Sequence, residues 1–300
     1  MKDIRSFLRA AASAAAGIVL ARATPGDAQF APRIPPPADT FYETNYGSST
    51  IKLFSARGRD LGVLATLTFP TGLALDGAGN VYVASDDPAE YSIQKIAPDG
   101  AVSVFAKSGL NGPHALAFDK AGNLYVANIH ADTIERFTPA GAGTVFADAN
   151  DGLEHPIDLV FDKAGNLYVS NAFGGPAHTG SVLKFAPGGV GSVFAENGFH
   201  LAYGLALDRA GNLYVSNLNS NTIEKFSPNG TDLGLFASTG LNSPHGMVFD
   251  RAGNLYVANN GNQTIERFSS AGVDLGVFAR TQSGPHFIAI LRASRRTENQ

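Results

Sequence analysis

Short apolar runs recur along the chain in a fixed order, with polar turns between them. In one unit, Leu116-Ala-Phe118 leads into the turn Asp119-Lys-Ala-Gly-Asn123, and Leu124-Tyr-Val126 leads out of it. Thr133-Ile-Glu-Arg-Phe137 follows, then a Pro/Gly turn at 139–143 and Thr144-Val-Phe-Ala147. This pattern predicts four short strands. The first two form a hairpin in which Gly122 takes the positive-φ position and Asp119 accepts hydrogen bonds from the turn amides. Apolar residues stand at successive positions and do not alternate. Both faces therefore need cover, as when one sheet is sandwiched between two others.

The turn and the strand after it return almost unchanged at 162–171, 208–217 and 250–259, and more loosely at 76–85. The central asparagines (Asn80, Asn123, Asn166, Asn212, Asn254) are spaced by 43, 43, 46 and 42 residues. Four strands repeated at that period make propeller blades. Five complete units, numbered one to five below, cover 70–106, 113–147, 156–195, 202–237 and 244–279. The ends supply a sixth. Residues 41–54 superpose on 255–268 at a constant offset of 214, with Tyr42, Asn45, Gly47, Thr50, Ile51 and Phe54 identical to their counterparts. At the other end, Pro285-His-Phe-Ile-Ala-Ile290 repeats Pro244-His-Gly-Met-Val-Phe249. The expected fold is all-β: a six-bladed β-propeller whose last blade joins one C-terminal strand to three N-terminal strands. Such closure leaves no free inner edge.

Lys2, Arg5 and Arg9, followed by an apolar run at 10–21 and small residues, read as an export signal over 1–28. A Pro-rich linker (29–40), the propeller (41–291) and a basic, polar tail (292–300) follow. The expected location is periplasmic or secreted, and the apolar run is too short to span a bilayer. Removing 1–28 moves the formal charge from −4 to −6, which disfavours nucleic acid as a partner. There is no cysteine, so thiol catalysis, disulfides and cysteine-based zinc sites are excluded. The expected form is a monomer whose partner is a small molecule or a protein.

All seven histidines map to one face, the side of the inter-blade loops and the strand two–three loops. Aligned on the following Asp, the starts of the first strands give a ring around the channel mouth: Thr71, His114, Ile157, Tyr203, His245 and His286. Three neutral imidazoles with an open fourth position suit a divalent metal, zinc or calcium, so His114, His245 and His286 are candidate ligands. Tyr203 and Asp158, one step along in blade three, are candidate catalytic groups. In the competing reading, each imidazole bonds a loop carbonyl and plugs the channel. The longer loop in blade three, 173–180, carries Phe173 and His178 and is a candidate lid. Thr71, Ile157, Asn128, Asn171, Phe173, His178 and His200 complete the expected ligand face. Asn128 and Asn171 also suit bracing of their own loops. Glu135, Glu224 and Glu266, each beside Arg or Lys, suggest solvated cross-strand pairs.

Pro70-Thr-Gly-Leu-Ala-Leu-Asp76, Ala-Gly-Asn-Leu-Tyr-Val-Ala and Thr222-Ile-Glu-Lys-Phe226 resemble NHL repeats, and the likeness runs through 41–291. The resemblance implies a six-bladed propeller, a fold that carries binding modules and enzymes alike. The first functional expectation is an exported binding module that presents the histidine-rich face. The alternative is a metal-dependent lyase or hydrolase with its metal at the channel mouth. NHL-type amidating lyases are similar in holding zinc through Pro-His strand starts, matched here by Pro113-His114, Pro244-His245 and Pro285-His286. These come from blades two, five and six instead of alternate blades, and the catalytic arginine of those lyases has no matched position. Gluconolactonase-type propellers resemble the chain in blade number, but their calcium site uses a glutamate near the axis, and the ring has none.

Overall fold

Each Asp-x-Ala-Gly-Asn segment closes the hairpin that its sequence specifies. In a computed structural model, Asp119 Oδ1 accepts from the Ala121 and Asn123 amides at 2.9 and 2.8 Å. Its Oδ2 accepts from Asn123 Nδ2 at 2.7 Å. Gly122 sits at φ 84°, which costs a glycine nothing. The same backbone and side-chain bonds tie Asn80, Asn166, Asn212 and Asn254 to Asp76, Asp162, Asp208 and Asp250.

The structure describes residues 39–292, apart from 174 and 176–179. The expected export signal, most of the linker and the tail, and His178 lie outside the described residues. Within them are six four-stranded antiparallel sheets and two three-residue 3₁₀ turns. Among them no helix is long and apolar enough to cross a membrane. Blade six is built as expected: Pro285–Leu291 is the innermost strand and pairs with Thr40–Asn45, followed by Thr50–Phe54 and Asp60–Thr66. Phe41 faces Ile290, Tyr42 faces Ala289 and Glu43 faces Ile288. Ser283 Oγ donates to Asn45 Oδ1, a further bond between the two ends.

Second strands are buried throughout, Leu124–Asn128 among them, because each lies between neighbouring blades. Their tyrosines staple the blades together. The Tyr125 ring is 5.0 Å from Phe146 in its own outer strand and 4.9 Å from Phe161 in the next blade. Tyr82 and Tyr214 repeat the arrangement with Phe105 and Phe118, and with Phe236 and Phe249. Edge-to-face pairs of this kind add about 0.5–1.5 kcal/mol beyond the burial of their area. Every outer strand exposes an aliphatic side chain at an equivalent position: Val63, Val104, Val145, Val193, Leu235 and Val277. Each of these strands carries a register shift, and such bulges blunt edge-to-edge pairing.

Near the axis the inner strands come into backbone contact. A Cβ on Gly72 would lie 2.2 Å from the His114 carbonyl, and one on Gly204 would lie 2.1 Å from that of His245. Only glycine admits the neighbouring blade so closely. Side-chain hydroxyls then lock adjacent inner strands: Ser170 Oγ donates to the Tyr203 carbonyl at 2.6 Å and Ser216 Oγ to that of His245 at 3.0 Å.

One expectation fails. Glu135 and Glu266 are 6% and 4% exposed and are not solvated pairs. Burial raises the pKa of both, to about 7 for Glu266, where nearby Asp274 adds to the effect. Their Arg neighbours point to the other face of the strand, since successive strand residues do.

Candidate functional site at the channel mouth

His114, Tyr203, His245 and His286 are each the second residue of an inner strand. The close approach at Gly72 and Gly204 draws these strands in until their side chains meet across the axis. Ring centroids lie 5.0 Å apart for His114 and His286, 4.9 Å for His245 and His286, and 4.2 Å for Tyr203 and His245. The Tyr203 hydroxyl is 3.2 Å from His114 Nε2 and 3.0 Å from His286 Nε2.

These bonds fix where the protons are. His114 Nδ1 lies 2.8 Å from the Ile157 carbonyl, and His245 Nδ1 lies 2.9 Å from that of Ser243. A carbonyl only accepts, so both Nδ1 atoms carry hydrogen. Burial lowers the His114 and His245 pKa values to about 4 and that of His286 well below its ordinary value. All three rings are therefore neutral near pH 7. Neutral His114 presents a lone pair at Nε2, to which the Tyr203 O–H donates. His286 Nε2–H donates to the Tyr203 oxygen in turn. The result is a directed chain: His286 to Tyr203 to His114 to the Ile157 carbonyl. It leaves His286 Nδ1 a bare acceptor, closed to solvent and without a partner.

The remaining expected site residues divide. Thr71 Oγ1 donates to the Pro113 carbonyl at 2.8 Å, part of the inner-strand lacing. Asp158 Oδ1 accepts from the Leu159 amide of its own strand at 2.7 Å, and Oδ2 accepts from the Leu205 amide at 2.8 Å, which joins blade three to blade four. Burial raises its pKa to about 7, against those two bonds. Ile157 packs with Ile129, Ala172 and Tyr203, and Phe173 lies against that cluster and 4.9 Å from the His155 ring. Asn128 Nδ2 bonds the Gly109 carbonyl at 2.9 Å and Asn171 Nδ2 that of Gly152 at 2.8 Å. Both thus brace their own inter-blade loops. His200 is exposed and makes its bonds through backbone atoms.

Among the described residues no three His, Cys, Asp or Glu side chains are grouped as a metal requires. His114 Nε2 and His286 Nε2 both face the Tyr203 hydroxyl.

Sequence reasoning passed over two further groups. Glu43 is fully buried where the other blades carry Val83, Val126, Val169, Val215 and Val257. Burial raises its pKa to about 8 against the pull of Lys52, and its Oε2 has no partner. The signal was one glutamate in a column of valines. Asp86, just after the second strand of blade one, also has an unpartnered buried oxygen.

A family model, "NHL repeat", matches residues 241–268. No curated protein matches the sequence. Among solved structures, a chain in the crystal structure of a nidogen/laminin complex superposes with a TM-score of 0.73 at 19% identity, covering 84% of this chain and 98% of that one. A gluconolactonase from Xanthomonas campestris gives 0.65 at 20% identity, covering 86% and 90%. A putative gluconolactonase gives 0.63 at 19%, covering 73% and 80%. Similarity at this identity concerns the fold, and it agrees with the six sheets and the closure described above. The chain is a six-bladed β-propeller, and residues 241–268 within it match an NHL repeat.

Proposed function

We propose that this chain is an exported binding propeller that takes a small polar ligand, or a polar group of a partner protein, at the histidine-lined mouth of its channel. The observation carrying this reading is the cross-axis set of His114, Tyr203 and His286. Its hydrogen bonds run in one direction and leave a buried acceptor, His286 Nδ1, ready for a donor. Preorganised, neutral and closed to bulk water, such an acceptor rewards a ligand N–H or O–H and penalises a ligand without one. The similar folds include a member of a nidogen/laminin complex and two gluconolactonases, so the architecture serves binding and catalysis.

A metal-dependent lyase or hydrolase is the competing reading, and it requires His114 and His286 to exchange Tyr203 for an ion. Metal analysis of purified protein, with side-chain nitrogen NMR of its histidines, separates the two. The binding reading expects no stoichiometric zinc or calcium, and His286 Nδ1 resonating as an unprotonated nitrogen that shifts when polar compounds are added. One equivalent of metal, lost in the His114→Ala/His245→Ala/His286→Ala variant, would overturn it. So would a broad set of polar compounds that leaves all three imidazoles unmoved.

A further inference from the structure

On the face opposite the histidines, the residue after the turn Asp is basic in four blades: Lys120, Lys163, Arg209 and Arg251. Arg292 takes that position in blade six, and Gly77 in blade one. All five cations are exposed. Three of them are tied along the rim. Lys120 Nζ donates to the Lys163 carbonyl, Lys163 Nζ to that of Arg209 at 2.7 Å, and Arg292 to that of Phe249 at 2.9 Å. Each bond reaches into a neighbouring blade, so these charges stay spread around the ring instead of converging on its centre.

The turn Asp beside each cation is already engaged. Its oxygens accept from turn amides and from the Asn side chain, as at Asp119 and Asp162. A third-strand cation stands behind it. Lys184 Nζ lies 5.0 Å from the Tyr168 ring, and Lys225 Nζ 5.1 Å from the Tyr214 ring, whose hydroxyl donates to Asp208 at 3.2 Å. Arg57 and Arg59 add positive charge in the third-to-fourth-strand turn of blade six, and Asp99 is the one acid in the turns of that class. Loops on the histidine face have the reverse polarity: eight Asp and Glu side chains, Asp87, Glu90, Asp132 and Asp148 among them, against Lys107. A chain of formal charge −4 thus gathers exposed cations on one side.

Blades pack about 10 Å apart, about one Debye length at 0.1 M salt. Neighbouring ring cations therefore act together on an extended anionic surface, whereas a small anion meets only one or two of them. Ala-Gly follows the cation in each of the four turns, so no bulky side chain there holds a flat surface away. We propose that Lys120, Lys163, Arg209, Arg251 and Arg292 form a docking ring for the anionic headgroups of a lipid bilayer. The histidine-lined mouth then faces away from the membrane, and the docking is independent of what that mouth binds. Each lysine or arginine at such a surface raises partitioning about fivefold, and salt screens the attraction.

The test is amine acetylation of the full chain, read lysine by lysine by mass spectrometry, with vesicles of phosphatidylcholine alone or with about one-third phosphatidylglycerol. Reading by residue separates the ring from attachment through the apolar run at 10–21. Anionic vesicles are expected to slow acetylation of Lys120 and Lys163 at least about tenfold and to leave Lys107 unchanged. Protection is expected to vanish without phosphatidylglycerol and at about 0.5 M salt. Arg209→Gln/Arg251→Gln keeps both reporter lysines, and it is expected to need about twentyfold more vesicle for the same protection while melting as wild type does. Equal protection of Lys107, protection by phosphatidylcholine alone, or an unchanged vesicle requirement in the arginine variant each overturns the proposal. So does protection of both lysines by heparin at a lower charge concentration than the vesicles need, which makes the partner a soluble polymer.

Discussion

Tyr203 and His286, 83 residues apart in the chain and on different blades, meet across the propeller axis at 3.0 Å. The same hydroxyl reaches His114 at 3.2 Å. Replacing Tyr203 with Phe removes the central oxygen and strands two buried imidazole nitrogens. Each unsatisfied buried group costs about 1–3 kcal/mol, so Tyr203→Phe is expected to lower unfolding free energy by about 2–4 kcal/mol. Denaturant titration measures the loss, and histidine nitrogen NMR should show changed proton positions at His114 and His286. A variant as stable as wild type with unaltered imidazole signals counts against the shared hydroxyl.

The imidazoles also set an acid limit. Burial holds His114 and His245 at pKa values of about 4 in the folded state, below the ordinary 6.5 of histidine. The unfolded chain therefore binds more protons between these values, and stability falls as pH drops through that window. Their contribution is complete above about pH 6.5 and is lost toward pH 4. Melting temperatures recorded from pH 7.5 to 4.5 should decline in wild type and decline less in His114→Gln/His245→Gln. Parallel profiles would refute buried neutral histidines.

Glu43 works in the opposite direction. Its pKa rises from 4.5 to about 8 on folding, so the folded state holds the extra proton between those values. Stability is highest below about pH 4.5 for this group and is lost as pH rises through 8. Glu43→Gln keeps an oxygen for Asn45 Nδ2, which now donates to Oε1 at 2.6 Å, and needs no proton. The variant should melt above wild type at pH 8 and close to it at pH 5. A constant difference across that range would show that Glu43 does not titrate there.

Asp158 is expected to act as a structural brace. Its carboxylate accepts two amides, one of them from the neighbouring blade. Hydrogen bonds to charged groups contribute about 1.5–3 kcal/mol each, so Asp158→Ala should cost about 3 kcal/mol or more. Asp158→Asn, with one accepting oxygen, should fall between the two. If Asp158→Ala instead retains full stability, Asp158 is free for chemistry.

Ring closure depends on the strand Pro285–Leu291. Ile288 is 7% exposed and packs with Phe41, Tyr256 and Ile265. Truncating a buried isoleucine costs about 2–5 kcal/mol, so Ile288→Ala should lose that amount in a single cooperative transition. Deleting 284–300 should destabilise the whole ring, because it removes the inner strand of blade six. An unchanged melting temperature in the deletion would show that closure does not hold the ring.

The sequence by itself determined the repeat, the blade and the closure. Those features are encoded locally: Asp119 and Asn123 lie four residues apart in the turn they build, and the offset of 214 matches the N-terminal strands of blade six, position by position, to their counterparts in blade five. It also placed His114, His245 and His286 at equivalent strand starts. Tertiary structure alone decided what those side chains do. Their separations depend on how closely Gly72 and Gly204 let neighbouring backbones approach, and the proton position on His114 depends on a carbonyl 43 residues away. Asp158 is diverted to an amide of the next blade, and Asp86 Oδ1 is left buried without a hydrogen-bond partner. Strand periodicity is written in near neighbours, but contacts across a propeller axis join residues from separate blades. Only the closed ring sets those distances.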